Sequence, residues 1–208
     1  MAAPRFLDNT LRARLAVAGA AALAVASAAK GSVYLWVRNS LGDWEATGTI
    51  AGIEGFVDPC LVATHLFCAV TFLLWFRRAY GNAAATGHHN RHALGWAIGG
   101  WFVPFLNLVR PAEIAGGIWR HARAQTGVVG PVVGPWWTCF LVANLLERAG
   151  ISLLDKAQEP DLCRIALTTL FAGEAVSVVG LWLAIRMVRG VTRAHVAMHR
   201  LEQAEVFA

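Results

Sequence analysis

Charge is scarce in this chain. Only 15% of its 208 residues are charged, against about 25% in an ordinary soluble domain. With 57% of residues hydrophobic, too little polar surface exists to coat a soluble globule, and a bilayer must supply part of the solvent. The alternating apolar and polar pattern of a barrel strand is missing from the apolar runs, which excludes a transmembrane barrel and leaves helices. No G-x-S-x-G, H-E-x-x-H or phosphate-binding glycine loop with its lysine occurs, so the usual grounds for proposing an enzyme are absent. Whether the chain is an enzyme stays open, and the expectation leans toward a non-catalytic protein.

What the chain does have is long apolar runs. Four of them, about 15–37, 57–76, 135–154 and 163–188, reach the roughly 20 residues that a spanning helix needs. The first could be mistaken for a signal peptide, because Arg12 and Arg14 precede it and Ala26-Ser27-Ala28 resembles a cleavage site. Apolar and aromatic residues continue through Val33, Tyr34, Leu35 and Trp36, which favours a retained helix.

A fifth apolar stretch, 94–111, is interrupted by Gly95, Gly99, Gly100, Pro104 and Asn107. An internal proline deletes a helix hydrogen bond, so the stretch reads as entering the bilayer without crossing it. The basic residues arbitrate, because cytoplasmic loops are enriched in Arg and Lys. If the stretch re-enters, 13 of the 18 basic residues fall on one side. The outer loops then keep Arg38, Lys156 and Arg164 amid Asp43, Glu45, Glu54, Asp58, Asp155, Glu159 and Asp161. The expected fold is therefore all-α, a single integral membrane helical bundle over 1–208. It has four spanning helices, a proline-broken re-entrant segment, and both termini in the cytoplasm. Sorted this way, the net charge of +5 belongs to topology and to anionic inner-leaflet lipid, and nucleic acid is not expected as a partner.

Two amphipathic stretches border these runs. In 112–124, Ile114, Ala115, Ile118, Trp119 and Ala122 share a helix face while Glu113, Arg120 and Arg123 point elsewhere, as in a helix lying on the membrane surface. The tail 190–208 sets Val191, Ala194, Met198 and Leu201 against Arg193, Arg200, Glu202 and Glu205, which suits a surface helix or a docking helix for a partner. Nine tryptophans are many for this length. Trp36, Trp75, Trp136 and Trp137 are placed for an interfacial belt.

The broken segment also carries a resemblance. Trp101, Phe102, Pro104, Asn107, Leu108, Arg110 and Pro111 resemble the W-F-x-P-x-x-N-L-x-x-P signature of an uncharacterised bacterial membrane family, domain of unknown function 4328. Arg77, Arg78 and Asn82 upstream, and Ile118-Trp119-Arg120, Trp136-Trp137, Val188-Arg189 and Thr192 downstream, are similar to the family pattern as well. The resemblance covers about 72–192. It implies a multi-pass bacterial membrane protein, hence the cytoplasmic (inner) membrane, and implies no activity.

Ionisable residues within the spans are the sharper clue to function. Measured from the outer helix ends at about 1.5 Å per residue, Lys30, His65, Glu147, Arg148 and Glu174 fall at similar depth. An unpaired ion there costs at least about 2.5–3.5 kcal/mol, so these side chains are expected to form one polar layer joining all four helices. The layer serves either as an ion-pair network that fixes the register of the bundle or as an ion or small-ligand site, with Glu174 as central acceptor and His65 as the titrating group. Small residues at Gly173, Ser177 and Gly180, and at Gly95 and Gly99, are expected to let helices approach closely.

The remaining clusters are weaker. Cys60 and Cys163 both fall near outer helix ends, where a disulfide is allowed in an oxidising compartment, whereas Cys68 and Cys139 read as small apolar residues. His88, His89 and His92 lack a nearby cysteine or carboxylate and make a poor metal motif. No cofactor is expected beyond bound lipid, and oligomeric state is left open. The leading functional expectation is an assembly, accessory or interaction subunit with a membrane-protein partner. The alternative is a small transporter or ligand-binding protein that uses the outer polar layer, and a membrane redox protein is third.

Overall fold

The computed structural model describes the backbone of residues 5–41, 44–127 and 130–206. Its elements are α1 (Thr10–Asn39), α2 (Trp44–Ala85), the single turn α3 (Trp96–Gly99), a 3-10 turn (Leu106–Leu108), α4 (Arg110–Thr126), α5 (Val133–Leu154) and α6 (Pro160–Val206). No strand occurs among the described residues. Four stretches, in α1, in α2 from Pro59, in α5 and in α6, are long and apolar enough to cross a membrane. They leave Val25, Val62, Leu66, Val70, Leu145, Ile165 and Val179 pointing outward, which is the surface expected against lipid, where exposed apolar side chains carry no penalty. Asp43, Glu45, Glu54 and Asp58, expected in an outer loop, lie outside the residues whose side chains are described.

Helix α6 is the spine, packed along α1 on one side and α5 on the other, with α2 against α1. Glycines set the closest approaches. A Cβ on Gly150 would sit 2.6 Å from Leu170, and one on Gly19 would sit 3.0 Å from both the Cα of Cys68 and the hydroxyl of Thr71. Gly173 and Gly180 also face neighbours, Glu147 and Cys139. Gly95 meets nothing and Gly99 only its own neighbour Trp96, so that pair is not a helix-packing motif.

The last span and the tail form one helix of 47 residues, about 70 Å long at about 1.5 Å per residue, more than twice the roughly 30 Å of a bilayer core. Gly190 does not break it. A mid-helix glycine costs only about 1 kcal/mol relative to alanine, whereas Met187, Val188, Val191, Ala194 and Met198 are all buried along that stretch. The tail's apolar face is thus covered by the chain itself, with Leu201 left exposed.

Helix α4 is built from local signals. Pro111 occupies its first turn, where a missing N–H costs nothing, and Glu113 complements the helix dipole. Gly127 at φ +65° ends it, its N–H bonding the Arg123 carbonyl. The apolar face predicted to lie on lipid instead meets protein: Ile114, Ala115, Ile118, Trp119 and Ala122 are all buried, packed on α6, α5 and α2. Amphipathicity showed that one side must be covered, not by what.

The broken segment forms no spanning helix. Four residues of α3, successive turns and one 3-10 turn lead back to α4. Phe105, just after Pro104, has φ +64°, an outlier for a bulky residue. Phe102, Phe105, Leu108 and Val109 are exposed, Phe105 at 85%. Trp101 points inward.

The segment before α1 and the last turns of α6 lie at one end of the bundle. Asn82 clasps the segment before α1, accepting from Leu7 N–H at 3.1 Å and donating to the Leu7 carbonyl at 2.7 Å. Phe6 stacks on His199. At the opposite end Arg38 of α1 donates to the Thr168 hydroxyl of α6 at 2.9 Å. The main core, including Trp75, Phe76, Ile118, Trp119, Trp136, Met187 and Val191, sits at the terminal end. A minor cluster of Ala20, Leu23 and Cys68 lies further along. The bundle is plugged at one end and looser toward the other.

Candidate functional site

That looseness takes the form of a cleft of about 440 Å³ flanked by α2 and α5, with α1 and α6 behind it. Each wall is one helix face: His65, Cys68, Ala69 and Phe72 on α2; Trp136, Phe140, Ala143, Asn144 and Glu147 on α5; Ser177, Gly180, Leu181 and Ala184 on α6. The three- and four-residue spacings are those of side chains stacked on one side of a helix. The cleft has a polarity gradient. Its end nearer the termini is aromatic, made of Phe72, Trp136 and Phe140 with Trp101 and Phe102 from the broken segment, while His65, Asn144, Glu147 and Ser177 gather toward the other end. From Trp136 to Glu147 the α5 wall rises about 16 Å.

Trp101 is the hub of the aromatic floor. Its ring meets Phe72, Phe76, Trp137 and Phe140 edge-on at 5.8–6.2 Å between centroids, a geometry that sets ring edges against π faces. The segment bearing the family motif thus supplies the cleft floor. The rest of the motif anchors it. Pro111 is fully buried, Leu108 offers its carbonyl to the Trp137 indole N–H at 3.0 Å, and Arg110 bonds the Glu113 carboxylate at 3.3 Å while covering the Trp96 ring. Gly100 lets Arg110 pack, since a Cβ there would sit 2.9 Å from the arginine Cγ. Asn107 is half-buried and contributes its backbone N–H to the Val103 carbonyl. Phe102 and Pro104 lie on the exposed side.

The polar layer is assembled only in part. Lys30 of α1 and Glu174 of α6 form an ion pair at 3.4 Å, with Glu174 nearly fully buried and Lys30 lying 5.6 Å from the Tyr34 ring centroid. Glu147 lies within electrostatic range of Glu174, Lys30 and His65, but it faces the cleft and makes no hydrogen bond or ion pair among the described residues. Of the two carboxylates, Glu174 is thus engaged by an ion pair and Glu147 is the one that lines the cleft. The His65 ring N–H at Nδ1 donates to the Leu61 carbonyl at 2.9 Å, which leaves Nε2 as the ring's remaining polar atom. Arg148 does not join the layer. It is exposed on the neighbouring face of α5, because consecutive helix residues point about 100° apart.

Cys60, Cys68, Cys139 and Cys163 are free thiols, so Cys60 and Cys163 are unbridged; α2 packs along α1 and barely meets α6. His88, His89 and His92 line a separate pocket with divergent partners: the His88 ring lies against His121, and His92 faces Glu113 at 3.6 Å. No group of three or more metal-ligating residues able to hold an ion occurs among the described residues. Burial holds His88 and His121 below the ordinary imidazole range, and the charges of His121, Arg120 and His89 add to the effect at His88. Of the belt tryptophans, only Trp36 is exposed. Trp75, Trp136 and Trp137 are core residues, and the Trp75 N–H donates to Thr192 at 3.0 Å.

Reading the sequence by depth missed Asn144, which the helical stripe through Trp136, Phe140 and Glu147 would have found. It also missed the Asn82 clasp, whose partner is a backbone 75 positions away and leaves no local signal.

Fold and cleft together define a helical protein of the membrane type, with four helices able to span and a proline-broken segment flooring a cleft between two of them. The chain belongs to the family described as domain of unknown function (DUF4328), whose family model matches residues 38–193. That match extends the resemblance from 72 back through all of α2. No curated protein and no solved structure matches the chain.

Proposed function

We propose that the protein binds a small amphiphile in the cleft, with the apolar body on the aromatic floor and an amine or other donor at Glu147. The observation that carries this reading is the gradient itself: one cavity with Trp101, Trp136 and Phe140 at one end and an unpaired carboxylate with Asn144 and His65 at the other. Ligand sites combine a largely apolar lining with a few placed polar groups, and a volume near 440 Å³ falls within the usual range of about 300–1,000 Å³. An intramembrane carboxylate with no hydrogen bond or ion pair among the described residues is a functional-site candidate by default.

In this proposal the terminal end faces the cytoplasm of a bacterial inner membrane, because that end holds 13 of the 18 basic residues. The broken segment dips in from that side, burying Phe102 and Phe105 in lipid, and the cleft opens toward the outer half of the bilayer. A second reading, an accessory subunit, rests on the same exposed edge of Phe102, Phe105, Leu108 and Val109. The tail does not supply the docking face for it, since Val191, Ala194 and Met198 are already covered.

The test uses the full chain in nanodiscs of zwitterionic lipid, titrated with a naphthyl-alkylamine and with the matching neutral alcohol, read by energy transfer from tryptophan. The amine should bind more tightly than the alcohol, and Glu147→Gln should abolish the difference while Glu174→Gln keeps it. Equal binding of the two probes to the native chain, or an amine preference that survives Glu147→Gln, would sink the proposal. A stoichiometric protein that co-purifies in mild detergent would support the second reading.

A further inference from the structure

A second pocket, at the terminal end, is independent of the cleft. It has a volume of about 380 Å³ and lies between the loop after α2 and the outer face of α4, lined by Tyr80, His88, His89, Arg91, His92, Glu113, Ile114, Gly117 and Arg120. Its charges do not balance. The one carboxylate, Glu113, is already paired with Arg110 at 3.3 Å, and Arg110 also donates to the His92 ring. Neither Arg91 nor Arg120 has a hydrogen bond or ion pair among the described residues. Two guanidinium groups therefore border a concave space whose one lining carboxylate is already paired with another arginine.

The surroundings are shaped to keep that space open. Tyr80 fixes the loop: its hydroxyl donates to the His92 carbonyl at 2.9 Å and accepts from the His92 N–H at 3.0 Å. Asn90 adds a bond to the Tyr80 carbonyl at 3.0 Å. On α4, Gly117 leaves room for the His88 ring, whose Nε2 would lie 3.2 Å from a Cβ there, and Gly116 does the same for the Arg120 guanidinium. Larger residues at either position would press into the pocket wall.

We propose that this pocket binds a phosphate-bearing ligand, with Arg91 and Arg120 carrying the charge and His88 and His89 donating to the remaining oxygens. Arginine suits this role because its planar fork matches phosphate oxygens. The volume exceeds what a bare phosphate fills and leaves space for an organic part. A phospholipid headgroup and a soluble phosphomonoester share the chemistry, and basic pockets at the cytoplasmic ends of membrane helices are suited to anionic headgroups. Burial is the main cause that keeps His88 below the ordinary imidazole range, and the charges of His121 and Arg120 on α4 and of His89 on the loop add to it; a bound dianion would offset only that added part.

The experiment uses the full chain. Inorganic phosphate and glycerol 3-phosphate are titrated calorimetrically in neutral detergent, and retention of phosphatidic acid against phosphatidylcholine is read by native mass spectrometry. At least one arm should show saturable binding that weakens by about tenfold to a hundredfold in Arg91→Gln and Arg120→Gln, the loss expected for one charge-assisted contact. Arg77→Gln, the same charge change at an exposed arginine outside the pocket, should alter it by less than about twofold. Both arginines are exposed, so the variants should elute like the native chain in gel filtration. Saturation by the soluble probes assigns a free ligand, and retention of phosphatidic acid alone assigns a headgroup. Absence of binding in both arms, or equal losses in Arg77→Gln and Arg120→Gln, would overturn the proposal.

Discussion

Breaking the Lys30–Glu174 pair should have unequal consequences at its two ends. The charges are 3.4 Å apart, which gives an attraction on the order of 5 kcal/mol at an effective dielectric constant of about 20. The Lys30 side chain is 34% exposed and that of Glu174 6%, so water and lipid headgroups discount the lysine's share, whereas the carboxylate has no solvent to fall back on. Lys30→Met leaves a buried carboxylate behind and should destabilise by about 3–5 kcal/mol, the loss typical of an orphaned buried ion. Glu174→Gln leaves an ammonium on a flexible stem that can turn toward the helix end and still face the Tyr34 ring, so the loss should be about 2 kcal/mol. The double variant should be more stable than Lys30→Met alone, which requires a coupling larger than the loss in Glu174→Gln, about 2–3 kcal/mol. Reversible unfolding in mixed micelles of SDS and mild detergent, followed by tryptophan fluorescence, measures all four proteins. A coupling below about 0.5 kcal/mol, or a larger loss for Glu174→Gln than for Lys30→Met, would show that the pair does not organise this level of the bundle.

Gly150→Val should destabilise by about 1–3 kcal/mol or more through overpacking, because even a Cβ meets Leu170 at 2.6 Å; the same unfolding assay reads it, and Leu170→Ala should recover part of the loss. Asn82→Ala removes two bonds from the Leu7 backbone and should cost about 1–3 kcal/mol; faster amide exchange confined to the segment before α1 would mark the release. For pH, His88 and His121 lie below their ordinary value of 6.5 in the folded chain, so the unfolded chain takes up their protons first. Stability should hold above about pH 6.5 and decline as pH falls below it toward the depressed folded values, and a His121→Asn variant should show a shallower decline between pH 7 and 5. A cysteine placed at Gln125, labelled in intact cells and in inverted vesicles, should react only in the inverted vesicles, and reaction in intact cells would reverse the proposed orientation.

The spans were legible because hydropathy needs only composition and length, and an apolar run of 20 residues has few fates other than crossing lipid. Their ends were less so. Tyr80, Ala79 and Ala83 carry α2 past the predicted 57–76, and the tail fuses with the last span, since in both places the helix continues into a protein core that hydropathy cannot distinguish from lipid. Amphipathicity gave the right buried face of α4 and the wrong neighbour, because an apolar stripe fits lipid and protein equally well. The polar layer separated along a different line. Depth along each helix placed Lys30 and Glu174 at matching heights, and they meet. Depth says nothing of direction around the axis, which is why Arg148 was grouped with Glu147 although the two face about 100° apart. The tryptophans failed for a related reason: composition cannot tell an indole at the interface from one whose N–H is satisfied inside, as in Trp75 and Trp137.

The proline-broken segment links these observations. A fifth spanning helix could have packed into the space between α2 and α5 and filled it. A chain that turns back at Pro104 instead closes only the terminal end, with Trp101 wedged among Phe72, Phe76, Trp137 and Phe140, and leaves the rest of the gap as the cleft. The same turn pushes Phe105 outward, where lipid would hold the floor in place from the other side. Motif residues with no catalytic chemistry of their own therefore determine where the cavity ends, and the residue that would meet a ligand's polar end, Glu147, lies outside the motif. In the proposed function, substitutions at Trp101 would alter the size of ligand accepted, and substitutions at Glu147 its charge.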